Sequence, residues 1–321
     1  MKKFVLLMVV VCLVAPMLFA GGAAESKPEL DLKGKPYVPV IALGFQHQFW
    51  QAVKMGADQA AADYDVVITF EGPEAETMID KQVDMMKTAL GKNPVAIGMA
   101  AIDPESVRLD LEAAKARGVK VVGFDSGVGD MADVHCSTDN YVAGGIAGKH
   151  AAELLGGKGQ IGIISFSQTL IDSKQRVDGF IDAVKQYPDI KIVDVQYGDG
   201  DHLKSADIAK GMLVAFPKID MFYANNEGSI VGAYNGVREV GKIGKILLVG
   251  FDSSKALKDA IRDGEIAGAV TQDPVGMGYK TVEAAVKLYK GESVPKVIDT
   301  GAYWYDKTNM DEAHIAPLLY D

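Results

Sequence analysis

Apolar positions in this chain fall into two kinds of run that alternate almost from end to end. Short β-branched runs cover residues 38–43, 66–70, 95–99, 119–124, 160–165, 191–196, 221–224, 246–251 and 267–271. Too short for helices and flanked by turn residues, they read as strands. Longer stretches with apolar residues three and four apart cover 49–64, 75–90, 105–117, 142–155, 173–187, 203–216, 229–240, 255–263 and 275–289, and read as amphipathic helices. Gly91, Gly118 and Gly264 each follow one of them, as a helix stop would. Pro104 and Pro274 stand at helix starts, where a missing N–H costs nothing. Apolar strands alternating with helices imply parallel sheets covered on both faces. The order of events restarts after Thr138-Asp139-Asn140. The expected architecture is therefore α/β, with two doubly wound parallel-sheet lobes.

Two of the strands end alike, as Val122-Gly123-Phe124-Asp125 and Val249-Gly250-Phe251-Asp252. In an open parallel α/β sheet, ligands sit just beyond the carboxyl ends of the strands. A carboxylate there is a good acceptor for hydroxyl protons. Two such aspartates, one per lobe, suggest a clamp around a single ligand.

The N-terminus adds an address. Lys2 and Lys3 precede an apolar run over residues 4–19, and small residues dominate from Ala20 to Ser26. This is the pattern of a secretory signal, and the run is short for a membrane span. Residues 1–20 are read as the signal, with cleavage at 20–24, and residues 21–36 as a flexible tether. Cys12 follows Val11 and lies inside the apolar run, so lipid anchoring there is not expected. Cleavage leaves Cys136 as the one cysteine. It excludes an intramolecular disulfide and is read as a small core residue. The formal charge of −10 becomes −12 without Lys2 and Lys3, which argues against nucleic acid or an anionic membrane as partner. A monomer is expected.

Other patterns carry less than they promise. Gly157, Gly159 and Gly162 fit GxGxxG, but they precede a strand instead of opening a helix, so they are read as a loop and not as a dinucleotide site. The run 236–242 resembles a phosphate loop, yet Ile243 replaces the required Ser or Thr and the run ends a helix. The histidines at 47, 135, 150, 202 and 314 have no metal-like spacing, and no GxSxG elbow occurs. No cofactor, metal or catalytic set is expected.

Seven segments in order carry a family likeness: the loop ending Phe49-Trp50, Gly123-Phe124-Asp125, Ser137-Thr138-Asp139-Asn140 leading into Gly144-Gly145, Arg176-Val177-Asp178-Gly179-Phe180, Ala224-Asn225-Asn226-Glu227, Val249-Gly250-Phe251-Asp252 and Thr271-Gln272-Asp273-Pro274. On these residues the chain resembles the ribose-binding-protein branch of the type I periplasmic sugar-binding proteins, which serve ABC importers. The likeness spans residues 37 to about 305. It implies lobes of 37–139 plus 274–300 and 140–273 plus 301–321, joined by a crossover-strand hinge near Asp139, Asp273 and residues 299–302. It also implies a ligand shell of Phe49, Trp50, Asp125, Arg176, Asn226, Asp252 and Gln272, with His47 as a further polar contact. Aromatic faces suit the C–H faces of a sugar, while Asp, Arg, Asn and Gln match hydroxyls that donate and accept. Other roles stay open: core packing for Phe49 and Trp50, helix capping for Asp125, Asp252 and Asn226, hinge lining for Gln272, and for Arg176 a surface ion pair with Asp172 or Asp178.

Three departures put ribose itself in doubt. Ser126 stands where the ribose binder has an arginine, Trp50 replaces a smaller ring, and Gly200 falls near a second-lobe aromatic that Tyr197 would have to replace. The implied function is capture of a monosaccharide or related polyol in the periplasm and its delivery to an ABC permease, without chemistry on the ligand. Presentation of the sugar to a chemoreceptor or sensor kinase is the alternative.

Overall fold

The computed structural model describes Leu32 and Gly34–Asp321. The expected signal at 1–20, Cys12 within it and most of the tether at 21–36 lie outside the described residues. Strands come from short runs rich in Val, Ile and Phe, buried on both faces in the interior of the sheets and only partly buried at the edges. The first half of the chain supplies β1 (Tyr37–Ile41), β2 (Val67–Glu71), β3 (Ala96–Met99), β4 (Lys120–Phe124) and β5 (Val134–Ser137). The second half supplies β6 (Lys158–Ser165), β7 (Asp189–Tyr197), β8 (Met221–Ala224), β9 (Leu247–Phe251) and β10 (Gly268–Gln272), followed by β11 (Val297–Asp299) and β12 (Ala302–Tyr305).

Between them lie α1 (Gln48–Asp63), α2 (Ile79–Leu90), α3 (Pro104–Ala116), α4 (Asn140–Leu154), α5 (Ile171–Val184), α6 (His202–Ala215), α7 (Glu227–Glu239), α8 (Lys255–Arg262) and α9 (Pro274–Tyr289). Pro104 and Pro274 occupy the first helical positions of α3 and α9, and Asp103 and Asp273 cap them with side-chain oxygens.

The strands form two sheets, ordered β11-β5-β4-β3-β1-β2 and β12-β10-β9-β8-β6-β7. Each reverses its winding beside its first strand, which opens a crevice at the carboxyl ends of β1 and β3 in one lobe and of β6 and β8 in the other. The pairing is parallel except for β12, which runs antiparallel to β10 at the sheet edge. That edge strand departs from the all-parallel expectation. Strand β5 was not legible as a strand, because four residues alternating Val, His, Cys and Ser carry too short an apolar signal. The glycine run at 157–162 also differs from the loop expected: Gly159 and Gly162 lie inside β6, still without opening a helix.

The chain passes between the sheets at 137–140, 272–274 and 299–302. One hydroxyl touches all three passages. Thr138 Oγ1 donates to Gln272 Oε1 at 2.9 Å and lies 3.2 Å from Gly301 O and 3.4 Å from Thr300 Oγ1.

Packing explains the glycines of two matched segments. Helices α4 and α5 cross so closely that a Cβ on Gly179 would lie 2.0 Å from Tyr141 O, and one on Gly144 only 2.2 Å from Arg176 O. The contact fixes Asn140 and Arg176, which sit on these two helices at the inter-lobe face. Cys136 is fully buried, and burial pushes its thiol up to about 12, so it remains a protonated core residue.

Candidate functional site

Each strand-tip aspartate is turned by the backbone itself. Asp125 and Asp252 take φ of 51° and 74°, a left-handed conformation that Asp tolerates better than most residues. Their N–H groups bond back to the neighbouring strands, at Cys136 O and Val270 O. The turn aims both carboxyls into the gap between the lobes.

His47, Phe49, Trp50, Asp125, Arg176, Asn226, Asp252 and Gln272 all line one inner cavity, and none is more than 6% exposed. Leu43, Glu76, Phe166 and Asp172 complete the lining. As it stands the cavity is about 30 Å³, roughly the share of one water in the liquid. It adjoins a larger cleft of about 900 Å³ that also lies between the lobes. Glu76, Asp125, Phe166 and Asp172 face both.

Several of the eight have two duties. Asn226 Oδ1 accepts from Ser229 N and so caps α7. Gln272 donates to Asp252 Oδ1 at 2.7 Å while accepting from Thr138, which ties the site to the lobe passages. Asp252 Oδ2 accepts from Glu227 N at 2.9 Å. Phe49 and Trp50 are core as well as lining: Trp50 meets Phe124 edge-on and Phe49 meets Tyr320. Arg176 is not in a surface ion pair. It is 2% exposed, donates to Asn140 Oδ1 at 2.7 Å and Asn225 O at 3.0 Å, and lies over Phe251 at 3.9 Å. The second-lobe aromatic is Phe166; Tyr197 is not among the residues lining the cavity.

Besides Leu43 and Phe166, what sequence reading missed is acidic. Glu76 was expected in the first turn of a helix over 75–90, but α2 begins only at Ile79. Residues 72–78 form a loop instead, held where Glu76 N donates to Gln46 Oε1, and Trp50 Nε1 donates to Glu76 Oε1 at 2.8 Å. Asp172 is buried, and its Oδ1 accepts from Ser173 N. Glu227 caps a helix of the other lobe. Its carboxylate accepts from Gln48 N and Phe49 N at 3.2 Å each, where His47 offers α1 no side-chain cap. In return Gln48 Oε1 accepts from Lys255 N, at the start of α8.

Burial sets the charges. It pushes Glu76 and Glu227 up to about 7, and raises Asp125 and Asp172 as well, against the pull of Arg176. Burial also lowers His47 to about 4, so its ring is neutral. A carboxyl that holds its proton more tightly folded than unfolded stabilises the fold at low pH and loses that contribution as pH rises through its folded value. The histidines at 47, 135, 150 and 202 oppose this, because burial lowers each of them and an unfolded histidine is still half protonated at about pH 6.5. The carboxyl contribution is therefore read as a difference: between pH 6.5 and 8 the ligand-free protein is expected to lose on the order of 1.5 kcal/mol more than its Glu76→Gln/Glu227→Gln variant. Urea midpoints of the two proteins across that range check it; parallel pH profiles would contradict the assignment.

Comparisons with known proteins agree with this geometry. Residues 38–293 match the model of the periplasmic binding protein domain. A carbohydrate transporter solute-binding protein from Agrobacterium radiobacter, solved with D-arabinose, is 31% identical with a TM-score of 0.84, over 89% of this chain and 99% of that one. An ABC transporter solute-binding protein from Agrobacterium vitis, solved with D-fucose, is 30% identical with a TM-score of 0.84, over 88% and 100%. The D-allose-binding periplasmic protein of Escherichia coli K12 is 24% identical over 266 residues, 80% of this chain and 86% of that protein. With two doubly wound lobes, three passages between them and a family match over most of its length, the chain belongs to the periplasmic binding protein domain family.

Proposed function

We propose that this protein is an exported, monomeric solute-binding protein that captures a monosaccharide or related polyol between its lobes and delivers it to an ABC permease. The observation that carries the reading is the convergence of eight hydroxyl- and ring-recognising side chains from both lobes on one cavity. Ligand contacts from both lobes coexist only when the cleft is shut, so binding draws the population toward the closed form. Closure turns about the passages joined at Thr138, and the 30 Å³ cavity widens by parting of the lobes to admit a ring. Charge-assisted hydrogen bonds contribute about 1.5–3 kcal/mol each, and micromolar affinity needs about 8 kcal/mol net. Asp125, Asp252 and Arg176 offer bonds of this kind, and Asn226 and Gln272 add neutral ones of about 0.5–1.5 kcal/mol each.

The test is a thermal-shift screen of neutral monosaccharides and polyols on the mature chain. A ligand at 100 times its dissociation constant adds about 2.7 kcal/mol. Absence of any shift across pentoses, hexoses and their alcohols would overturn the reading. The ligand is expected to be recovered unchanged by mass spectrometry, since the protein performs no chemistry on it.

A further inference from the structure

The inner cavity is lined by four carboxyl side chains, Glu76 and Asp125 from one lobe and Asp172 and Asp252 from the other. Against them stands one guanidinium, Arg176, which already donates to Asn140 and Asn225 and lies over the Phe251 ring. A second cation is missing where one would be looked for, because Ser126 follows Asp125 and gives its hydroxyl to Ala101 O. Among the described residues no group of three or more His, Cys, Asp or Glu has the geometry to hold a metal ion. An independent feature marks the same place as a binding surface. His47 is 4% exposed, lines the cavity, and has no hydrogen-bond partner at either ring nitrogen.

We propose that the site accepts polyhydroxylated ligands only when they carry no negative charge, and that Glu76 and Asp172 are the specificity-determining residues that reject uronates and sugar phosphates. Both face the inner cavity and the outer cleft, so any ligand passes them on the way in. Trp50 occupies Glu76 Oε1, leaving Oε2 to accept from a ligand hydroxyl. The neutral His47 ring adds one donor and one acceptor beside it. An anionic group entering here meets acceptors and like charge in a setting of weak screening, and the one guanidinium, with two of its five N–H donors held by Asn140 and Asn225, stands against four carboxyl groups. A neutral polyol meets acceptors for each of its hydroxyl protons.

This rests on the sugar-binding reading above, and the experiment separates the two. Calorimetry on the mature chain at pH 8 compares D-glucose, D-galactose and D-ribose with D-glucuronate, D-galacturonate and ribose 5-phosphate, using glucuronamide and galacturonamide as neutral isosteres of the uronates. Each anion is expected to bind at least 100-fold more weakly than the neutral member of its set that binds. Glu76→Gln and Asp172→Asn are expected to narrow that gap at least tenfold, a change in selectivity that a purely structural role would not produce. A wild-type anion binding within tenfold of its neutral counterpart would overturn the inference while leaving sugar capture intact. A gap that neither variant narrows would remove the two residues from the role. Binding by no neutral sugar or polyol at all would fail the sugar-binding reading itself, and this inference with it.

Discussion

Replacing Asp252 by alanine is expected to weaken sugar binding at least 100-fold and to cost about 4 kcal/mol of stability. Both effects have the same origin. The carboxylate accepts from Glu227 N and Gln272 Nε2, and all three groups are buried. Truncation leaves two donors unpaired at about 1–3 kcal/mol each. Alanine at φ 74° adds backbone strain on the order of 1 kcal/mol. Loss of the ligand acceptor removes a further charge-assisted bond of about 1.5–3 kcal/mol, and freeing Gln272 loosens its tie to Thr138. Asp252→Asn keeps the size and one acceptor oxygen, so it is expected to recover much of the stability but little of the affinity. Urea unfolding and calorimetry on the two variants measure each part. An Asp252→Ala protein that binds its sugar within threefold of wild type would remove Asp252 from the site.

Gly179→Ala is expected to cost about 3 kcal/mol although Gly179 itself does not line the inner cavity. The added Cβ would sit 2.0 Å from Tyr141 O, a backbone atom in a helix that cannot rotate away. Helices α4 and α5 would have to separate, and Arg176 and Asn140, hydrogen-bonded across that same contact, would move with them. Gly145→Ala is the control. Its Cβ would meet nothing closer than Gly179 O at 3.8 Å, and alanine is the better helix former by about 1 kcal/mol. That variant is expected to be neutral or slightly stabilised. Urea midpoints showing Gly179→Ala within about 0.5 kcal/mol of wild type would mean that the helices do not cross as closely as described.

The alternation of strand and helix was legible because both periods are strong and each element is buried by its own apolar residues. The repeat of Val-Gly-Phe-Asp pointed to Asp125 and Asp252, since a polar residue ending an apolar strand has nowhere to go but the sheet's edge. Arg176, Asn226 and Gln272 came from resemblance, and their spacing alone would not have singled them out. Glu76 was lost because residues 75–78 have helical composition, while the bond from Glu76 N to Gln46 holds them as a loop. Phe166 and Glu227 were lost for a different reason. Their roles exist only across the gap between lobes, and for Glu227 no local pattern encodes partners 178 and 179 positions away. Strand β12 was hidden in the same way, by pairing with β10 that only the finished sheet provides.

The bond pattern of Glu227 has a consequence for traffic at the membrane. Its reach across the cleft to Gln48 and Phe49 is made wholly of protein atoms, so shutting carries some reward with no cargo aboard. An unladen molecule that spends time shut would show an importer the same face as a laden one and compete with it for the docking place. Throughput would then depend on how loosely that carboxylate grips, not only on how tightly the sugar does.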